Sequence, residues 1–355
     1  KRFRRRIAER AARFQQIKHL CNTVLTSGGG KALLSAMGTP DHGDIFVGLN
    51  AVIVTVTNEE PRVLIVQEPD APSGDVLPFG LFDPIKDRTL EEGLRSWVVQ
   101  QTDLEVGYVE QLYTFGNSGR DPRERNSGQR FISVGYLALV RDAATATRGT
   151  WRSWYEYFPW EDWREGRPGI LDAEILPALG SWVEDTPDAY LRAVREERLA
   201  LAFGVESGAW TEDHVLDRFE LLYEAGIVSE AVRDARNDDV AAPGLTPGKP
   251  MGFDHRRILA TGMGRLRGKI QYRPVIFELM PAEFTLFQLQ CAAEGLAGLR
   301  LHKQNFRRLV ERGGLVEETG RMEASRPGRP AKLFRFRRNV LRERPTPAVT
   351  LPRGG

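Results

Sequence analysis

The 355-residue sequence predicts an α+β fold in two unlike parts: a mixed helix–strand body and a C-terminal helix–turn–helix closed by a hairpin. Three observations lead there. β-Branched apolar runs at 46–57 and 62–67 flank Asn58-Glu59-Glu60-Pro61, a strand–turn–strand signal, and a similar run lies at 131–140. The stretch Thr89–Thr102 reads as a helix, with Thr89 as N-cap and Glu92 completing a capping box. After residue 251, short helices at Phe284–Ala297 and His302–Arg312 meet at Gly298. They run into strands at Leu315–Thr319 and Leu333–Phe336, around a Pro/Gly/Arg tip at Ser325–Pro330.

No apolar run approaches the roughly 18 residues a membrane span needs. No apolar segment follows the basic Lys1–Arg6 either, so the chain is read as cytoplasmic, without span or secretory leader. Cys21 and Cys291 are far apart and outside any C-x-x-C pair, which argues against a disulfide framework or a structural zinc and fits a reducing compartment. The net charge of +2 conceals a segregation. Residues 1–14 carry 7 basic and 1 acidic side chains, residues 15–250 carry 22 and 38, and residues 251–355 carry 21 and 9. A basic C-terminal third on an acidic body implies either a polyanion partner or a solvated basic surface.

Residues 3–24 form an amphipathic pattern through Phe3, Ile7, Phe14, Ile17 and Cys21, suited to a packing helix or a dimer seam. The leading KRFRRR either touches phosphates or solubilises the helix start. Ser27–Lys31 (SGGGK) lacks the Ser/Thr and the strand–helix context of a phosphate loop and reads as a turn. Thr186–Leu201 and Thr211–Ala225 look helical. Asn237–Pro250, with three prolines and two glycines, reads as a linker, and Asp254–Ile270 as a basic helix.

The stretch Leu77–Leu104, LPFGLFDPIKDRTLEEGLRSWVVQQTDL, resembles a Nudix box with its surroundings. With YTFGNSGRDPR at 113–123 and the strand FISVGYLALV, the frame is similar to the ADP-ribose branch of that family. The departures fall on the catalytic positions. Arg88 stands at the first Glu, Ser96-Trp97 at Arg-Glu, Gln100-Gln101 at the Glu pair, and Asp103 at the last Gly. Positions 97, 100 and 101 share one helical face. In working members of the family that face carries carboxylates holding divalent cations against a pyrophosphate. Amides are weaker ligands and an indole is none. Glu91 and Glu92 remain, but capping and the helix dipole account for them. The expectation is no catalytic residue and no metal. The pocket is expected to bind the old ligand class through Arg62, Gln67, Phe79, Arg120 and Arg123, by stacking on adenine and gripping phosphate. The bland alternative puts Gln67 in solvent and Phe79 in the core. The rival function is a weak Nudix pyrophosphohydrolase with a nucleic-acid-binding tail.

The segments FDHRRIL (253–259), FELMPAEFTLFQLQ (277–290), LHKQNFRRLVERGGLVEETG (301–320) and GRPAKLFRF (328–336) resemble the C-terminal winged helix of the Nudix-related transcriptional regulators of NAD metabolism. This is an NrtR-like superfamily, and the chain is most similar to its NadQ-type members. Lys303, Gln304, Asn305, Arg307 and Arg308 lie on the second helix, above a buried stripe of Phe306, Leu309 and Val310. Such side chains pair with adenine or guanine edges. Arg326, Arg329 and Lys332 belong to the wing, where an arginine on a stiff tip suits a minor groove. Use of the wing for protein contacts is the alternative. The resemblance implies a homodimeric repressor of NAD biosynthesis genes on a double-stranded, pseudo-palindromic operator. Its effector would be an adenine nucleotide (ATP, ADP-ribose or NAD), with no required cofactor. The expected layout is a basic helical arm (1–44), a degenerate Nudix-like α/β/α sandwich (45–160), a helical insertion and linker (161–250), a winged helix-turn-helix (251–345) and a flexible tail (346–355).

Overall fold

The computed structural model describes residues 45–337 except 69–70, 72–73, 128, 206–208, 236–245, 272 and 324–329. The N-terminal arm, most of the expected linker, the wing tip with Arg326 and Arg329, and the C-terminal tail lie outside the described residues.

Strand β1 (Ile45–Thr57) turns at Asn58 and Glu59 into β2 (Glu60–Gln67). Both turn residues are left-handed, with φ of 52° and 67°, giving the two-residue turn whose twist suits paired strands. Short strands β3 (Asp75–Val76) and β4 (Phe79–Leu81) lead into helix α1 (Leu90–Thr102). Then come β5 (Tyr108–Phe115), the short α2 (Pro122–Ser127), β6 (Arg130–Leu139) and β7 (Thr150–Ser153). The sheet runs β3-β2-β1-β6-β5, with β4 paired to β1 and β7 to β2; the central pair β1–β6 is parallel. Both faces of that pair are covered, which is why they read as unbroken apolar runs. Along β1, Leu49, Ala51 and Ile53 meet Leu94 and Val98 of α1, while Val52 and Val54 enter the core on the opposite face.

Thr89 supplies its half of the expected capping box, its Oγ1 accepting from the Glu92 N–H at 3.1 Å; Glu92 itself is exposed. At the other end Asp103 takes the left-handed position (φ 57°) that glycine ordinarily fills, and its N–H donates to Val99 O. Arg148 holds the Asp103 carboxylate there at 3.1 Å.

After β7 an aromatic run, Trp154, Tyr155, Tyr157, Phe158 and Trp160, is buried. A π-helical turn at Leu171–Ile175 opens α3 (Leu176–Glu184), followed by α4 (Ala189–Phe203), α5 (Val215–Glu224) and α6 (Ser229–Asp234). Helix α4 starts later than its sequence pattern because Asp188 caps it, accepting from the Leu191 N–H at 2.7 Å.

Helix α7 (His255–Ile270) is the segment the sequence groups with the winged helix. It packs instead on the sheet of the body: a Cβ added at Gly262 would lie 2.9 Å from Val52, and Ile258 rests on Gly135. Its basic face is also not a solvated one, which corrects the charge argument. Arg256, Arg257 and Arg267 are buried because each meets a carboxylate of the insertion: Glu230 at 3.1 Å, Glu220 at 2.5 Å and Glu161 at 2.6 Å. Glu161 is shared. Arg218 forks onto it at 2.6 and 2.9 Å, and all three side chains are at most 1% exposed. Removing one partner from such a buried pair costs about 3–5 kcal/mol.

Helix α8 (Leu286–Ala297) opens with a complete capping box between Thr285 and Gln288 and ends at left-handed Gly298. Helix α9 (Lys303–Gly313) and the hairpin of β8 (Val316–Glu323) and β9 (Ala331–Phe336) complete the winged helix, with Phe284 bridged to Phe334. Phe277 stacks on Phe336 at 4.3 Å, and Phe306 is buried. Helix α8 seats on the β1–β2 turn so closely that a Cβ at Gly295 would lie 2.5 Å from the Glu59 carbonyl oxygen. One apolar core therefore runs from the sheet through the insertion to the wing. Among the described residues no helix is long and apolar enough to cross a membrane.

The α7–sheet contact has no spare room at Gly262. Gly262→Leu is expected to lower stability by about 1–3 kcal/mol through overpacking, read as a fall in the urea midpoint with an unchanged slope.

Candidate functional site

The helical face that resembles a metal site is used for something else. The Trp97 ring covers Gly80 so closely that no Cβ fits there, and its Nε1–H donates to Leu81 O at 2.9 Å. Gln101 brackets Phe79: its Oε1 accepts from the Phe79 N–H at 3.0 Å, and its Nε2–H donates to Phe79 O at 2.8 Å. Both residues thus fasten α1 to β4. Gln100 and Arg88 are exposed. Glu91, in the first turn of the helix, is paired with Arg95 at 2.8 Å. No cluster of three or more His, Cys, Asp or Glu suited to a metal occurs among the described residues.

The five expected nucleotide contacts do not all converge. Phe79 lies beside Phe253 and His255, with ring centroids 5.3 and 5.2 Å away. Arg123 sits over this group, 4.4 Å from the Phe253 centroid and 5.7 Å from that of Phe79, and its guanidinium pairs with Asp121 at 2.6 Å. Gln67 joins at the edge: its Nε2 donates to Asp75 at 2.9 Å, and the Asp75 carbonyl accepts from the Gly252 N–H. Burial alone would raise the Asp75 carboxyl, but bonds from Lys249, Gln67 and Tyr157 outweigh it and hold it below the usual range.

Arg62 is the exception. Strand side chains alternate, so Arg62 falls on the opposite face of β2 from Gln67, where its Nη1 donates to Trp151 O at 3.4 Å. Arg120 is adjacent but committed. It pairs with Glu220, lies 3.9 Å from Asp254, and stacks at 3.5 Å on Tyr223, tying the 117–123 loop to the insertion.

Sequence reasoning passed over Phe253 and His255, which sit in a segment assigned to the other unit. His255 is 1% exposed. Its Nδ1 accepts from the Leu77 N–H at 3.0 Å, so the proton of the neutral ring resides on Nε2, and that buried N–H has no partner. Burial, then the positive charge of Arg123, pushes the imidazole down to about 3, so it is neutral at all ordinary pH. An unpaired buried donor costs about 1–3 kcal/mol and calls for an explanation such as a ligand acceptor. By contrast Cys291 is inert: burial, with Glu59 alongside, raises its thiol to about 12.

On α9 the side chains divide cleanly. Phe306 and Val310 are buried, while Lys303, Gln304, Arg307 and Arg308 are exposed; Asn305 is half-buried and accepts from Arg308 at 3.2 Å. In the wing, Lys332 pairs with Glu318 at 2.8 Å and Arg335 with Glu317 at 2.6 Å. Exposed pairs of this kind are worth about 0–1 kcal/mol and exchange readily for phosphate.

Residues 276–336 match the family model of the NrtR DNA-binding winged helix domain. Over 308 residues the chain is 22% identical to the ADPR responsive transcriptional repressor NtrR of Acinetobacter baylyi, spanning 86% of this chain and 88% of that protein. Among solved structures it is similar to Shewanella oneidensis NrtR complexed with a 27mer DNA, at 22% identity over 83% of this chain and 94% of that one, with a TM-score of 0.48. A MutT/nudix family protein from Enterococcus faecalis aligns at 14% identity over 86% and 92%, with a TM-score of 0.47. The C-terminal unit is thus a winged helix that matches the NrtR type over residues 276–336.

Two outcomes are expected of this region. Gln101→Leu strips both partners from the Phe79 backbone and lowers stability by about 1–3 kcal/mol, whereas Gln100→Leu stays within about 0.5 kcal/mol; urea unfolding distinguishes them. His255 is neutral when folded but takes a proton near 6.5 when unfolded. The unfolded chain therefore binds the extra proton, and this contribution to stability is lost as pH falls from about 6.5 toward 3. His255→Phe is expected to remove that slope from urea midpoints measured between pH 4 and 7.

Proposed function

We propose that this chain is a transcriptional repressor with a DNA-binding winged helix and a Nudix-like body that binds an adenine nucleotide of the ADP-ribose class without cleaving it. The observation that carries the DNA half is the NrtR-type winged helix itself, with Lys303, Gln304, Arg307 and Arg308 exposed along α9 above a buried seam. These four, with Asn305, would read base edges and phosphates, and Lys332, Arg326 and Arg329 would flank them from the wing.

For the body, the donor set argues against hydrolysis. A divalent cation needs oxygen ligands. On this face Trp97 offers none, and both ends of the Gln101 amide are occupied by Phe79. The residues do not fit a catalytic metal, so no step is routed through one. What the region retains is recognition chemistry: the rings of Phe79 and Phe253, the guanidinium of Arg123, and the unpaired N–H of His255. That a relative is ADPR responsive supports ADP-ribose over ATP or NAD as effector. Control of NAD biosynthesis genes by a homodimer on paired half-sites fits the same reading. The boundary between body and reader falls best between α7 and residue 276, where the winged-helix match begins.

The test is direct. Arg307→Ala with Arg308→Ala is expected to weaken binding to a duplex selected by the chain itself at least about tenfold, roughly 1–3 kcal/mol for each lost base or phosphate contact, with the fold intact by circular dichroism. Unchanged affinity would sink the recognition-helix assignment. Incubation with ADP-ribose and magnesium or manganese is expected to release no AMP above background. Metal-dependent turnover abolished by Trp97→Ala or Gln101→Ala would overturn the non-catalytic reading in favour of a weak hydrolase.

A further inference from the structure

We propose that α7 couples the two halves of the molecule, and that Arg267 and Glu161 act through it as positioning residues for the DNA-reading unit. The inference rests on the reading that the body binds a nucleotide.

Helix α7 touches both places. Its start belongs to the aromatic cluster: His255, and Phe253 just before the helix, contact Phe79, and Arg257 bonds Asn117 in the segment leading to Arg123 of α2. Arg267 lies 12 residues beyond His255, about 18 Å at 1.5 Å per residue. Between the ends it is buried along most of its length, with Gly262 pressed on Val52, so it moves as a rod or not at all.

At the far end Arg267 spends its donors on three segments at once. Nη1 bonds the Glu161 carboxylate at 2.6 Å and Glu212 O at 3.0 Å; Nη2 bonds Glu161 O at 3.1 Å and the Tyr155 hydroxyl at 3.3 Å. Nε donates to Leu296 O at 3.0 Å. Leu296 lies in the last turn of α8, whose carbonyls lack partners within the helix. The guanidinium therefore grips the reading unit by a main-chain group two residues before the α8–α9 joint. That joint is held on the same side: Trp163 N–H donates to Gly298 O at 2.8 Å, and the Tyr155 hydroxyl donates to Gly295 O at 2.7 Å.

Another flank of α8 is loosely filled. A cleft of about 210 Å³ lies beside the β1–β2 turn at the base of the winged helix, lined by Val56, Asn58, Glu59, Met280 and Gln288. The side of α8 held by Arg267, Tyr155 and Trp163 is tight, and the cleft leaves room beside Gln288. A shift in the first turn of α7 on nucleotide binding would reach Leu296 O through Arg267 and alter the angle at which α9 is presented. Contiguous packing is the warrant; the coupling itself is what the experiment measures.

The probe is the full chain on a duplex it has selected in vitro, with affinity read by fluorescence anisotropy at fixed salt, with and without ADP-ribose. Wild type is expected to change affinity at least about fivefold, within the usual range of coupling between sites. Arg267→Lys keeps the charge beside Glu161 but not the fork that reaches Leu296 and Tyr155. Gly295→Ala wedges α8 off the Glu59 carbonyl without touching any charge. In both, the ratio is expected to fall below about twofold, while calorimetry shows unchanged ADP-ribose affinity. Variants that melt cooperatively, bind ADP-ribose and keep the wild-type ratio overturn the inference. A wild type that binds DNA with no response to ADP-ribose removes the sensor reading itself, a different failure. Should neither variant fold, hydrogen exchange on wild type decides. ADP-ribose must alter protection at 265–270 and 296–300, and an unchanged pattern there alongside changed DNA affinity rules the coupling out.

Discussion

The architecture hangs on one carboxylate. Glu161 follows the buried aromatic run and has no access to water, so its charge must be met inside the protein. Arg218 and Arg267 meet it from helices that lie 57 and 106 residues further along the chain. A buried ion triad contributes little net stability compared with a well-packed apolar substitute. What it does contribute is exclusion of alternatives, because any arrangement missing a partner strands a charge in the core. Insertion, sheet helix and reading unit are thereby brought to one point. Arg218 satisfies its remaining donors on Ala202 O and Thr211 O, and stacks on Trp210 at 3.8 Å, so the insertion is stitched internally by the same residue.

A similar economy marks α1. The positions that resemble a metal-binding face carry structural bonds instead. Trp97 and Gln101 fasten β4, and Asp103 ends the helix in a glycine-like conformation with Arg148 holding its side chain. The same helix thereby fixes Phe79 in place beside Phe253 and His255.

Much of this was legible in the sequence, and the rest failed for identifiable reasons. Local signals were sound: the Asn58-Glu59 turn, the Thr89 cap and the Gly298 joint each depend on a few adjacent residues. Charge counting was too coarse. Arg256, Arg257 and Arg267 contribute to a basic C-terminal third, yet their carboxylate partners are 26, 37 and 106 residues away, and no local pattern announces such pairs. Arg62 stands apart from the other expected contacts because an odd separation from Gln67 along one strand puts the two side chains on opposite faces. Phe253 and His255 were overlooked because they sit at the start of the segment that sequence alone allotted to the DNA reader. They reach Phe79 only because α7 lies on the sheet.

The indole over Gly80 also ties three positions together. While Trp97 fills that space, no side chain fits at Gly80, and the Leu81 carbonyl depends on the ring nitrogen. Exchange at the first site then uncovers a gap at the second and an orphaned oxygen at the third. These neighbours can change only in concert, so the packing works as a latch on the sequence itself.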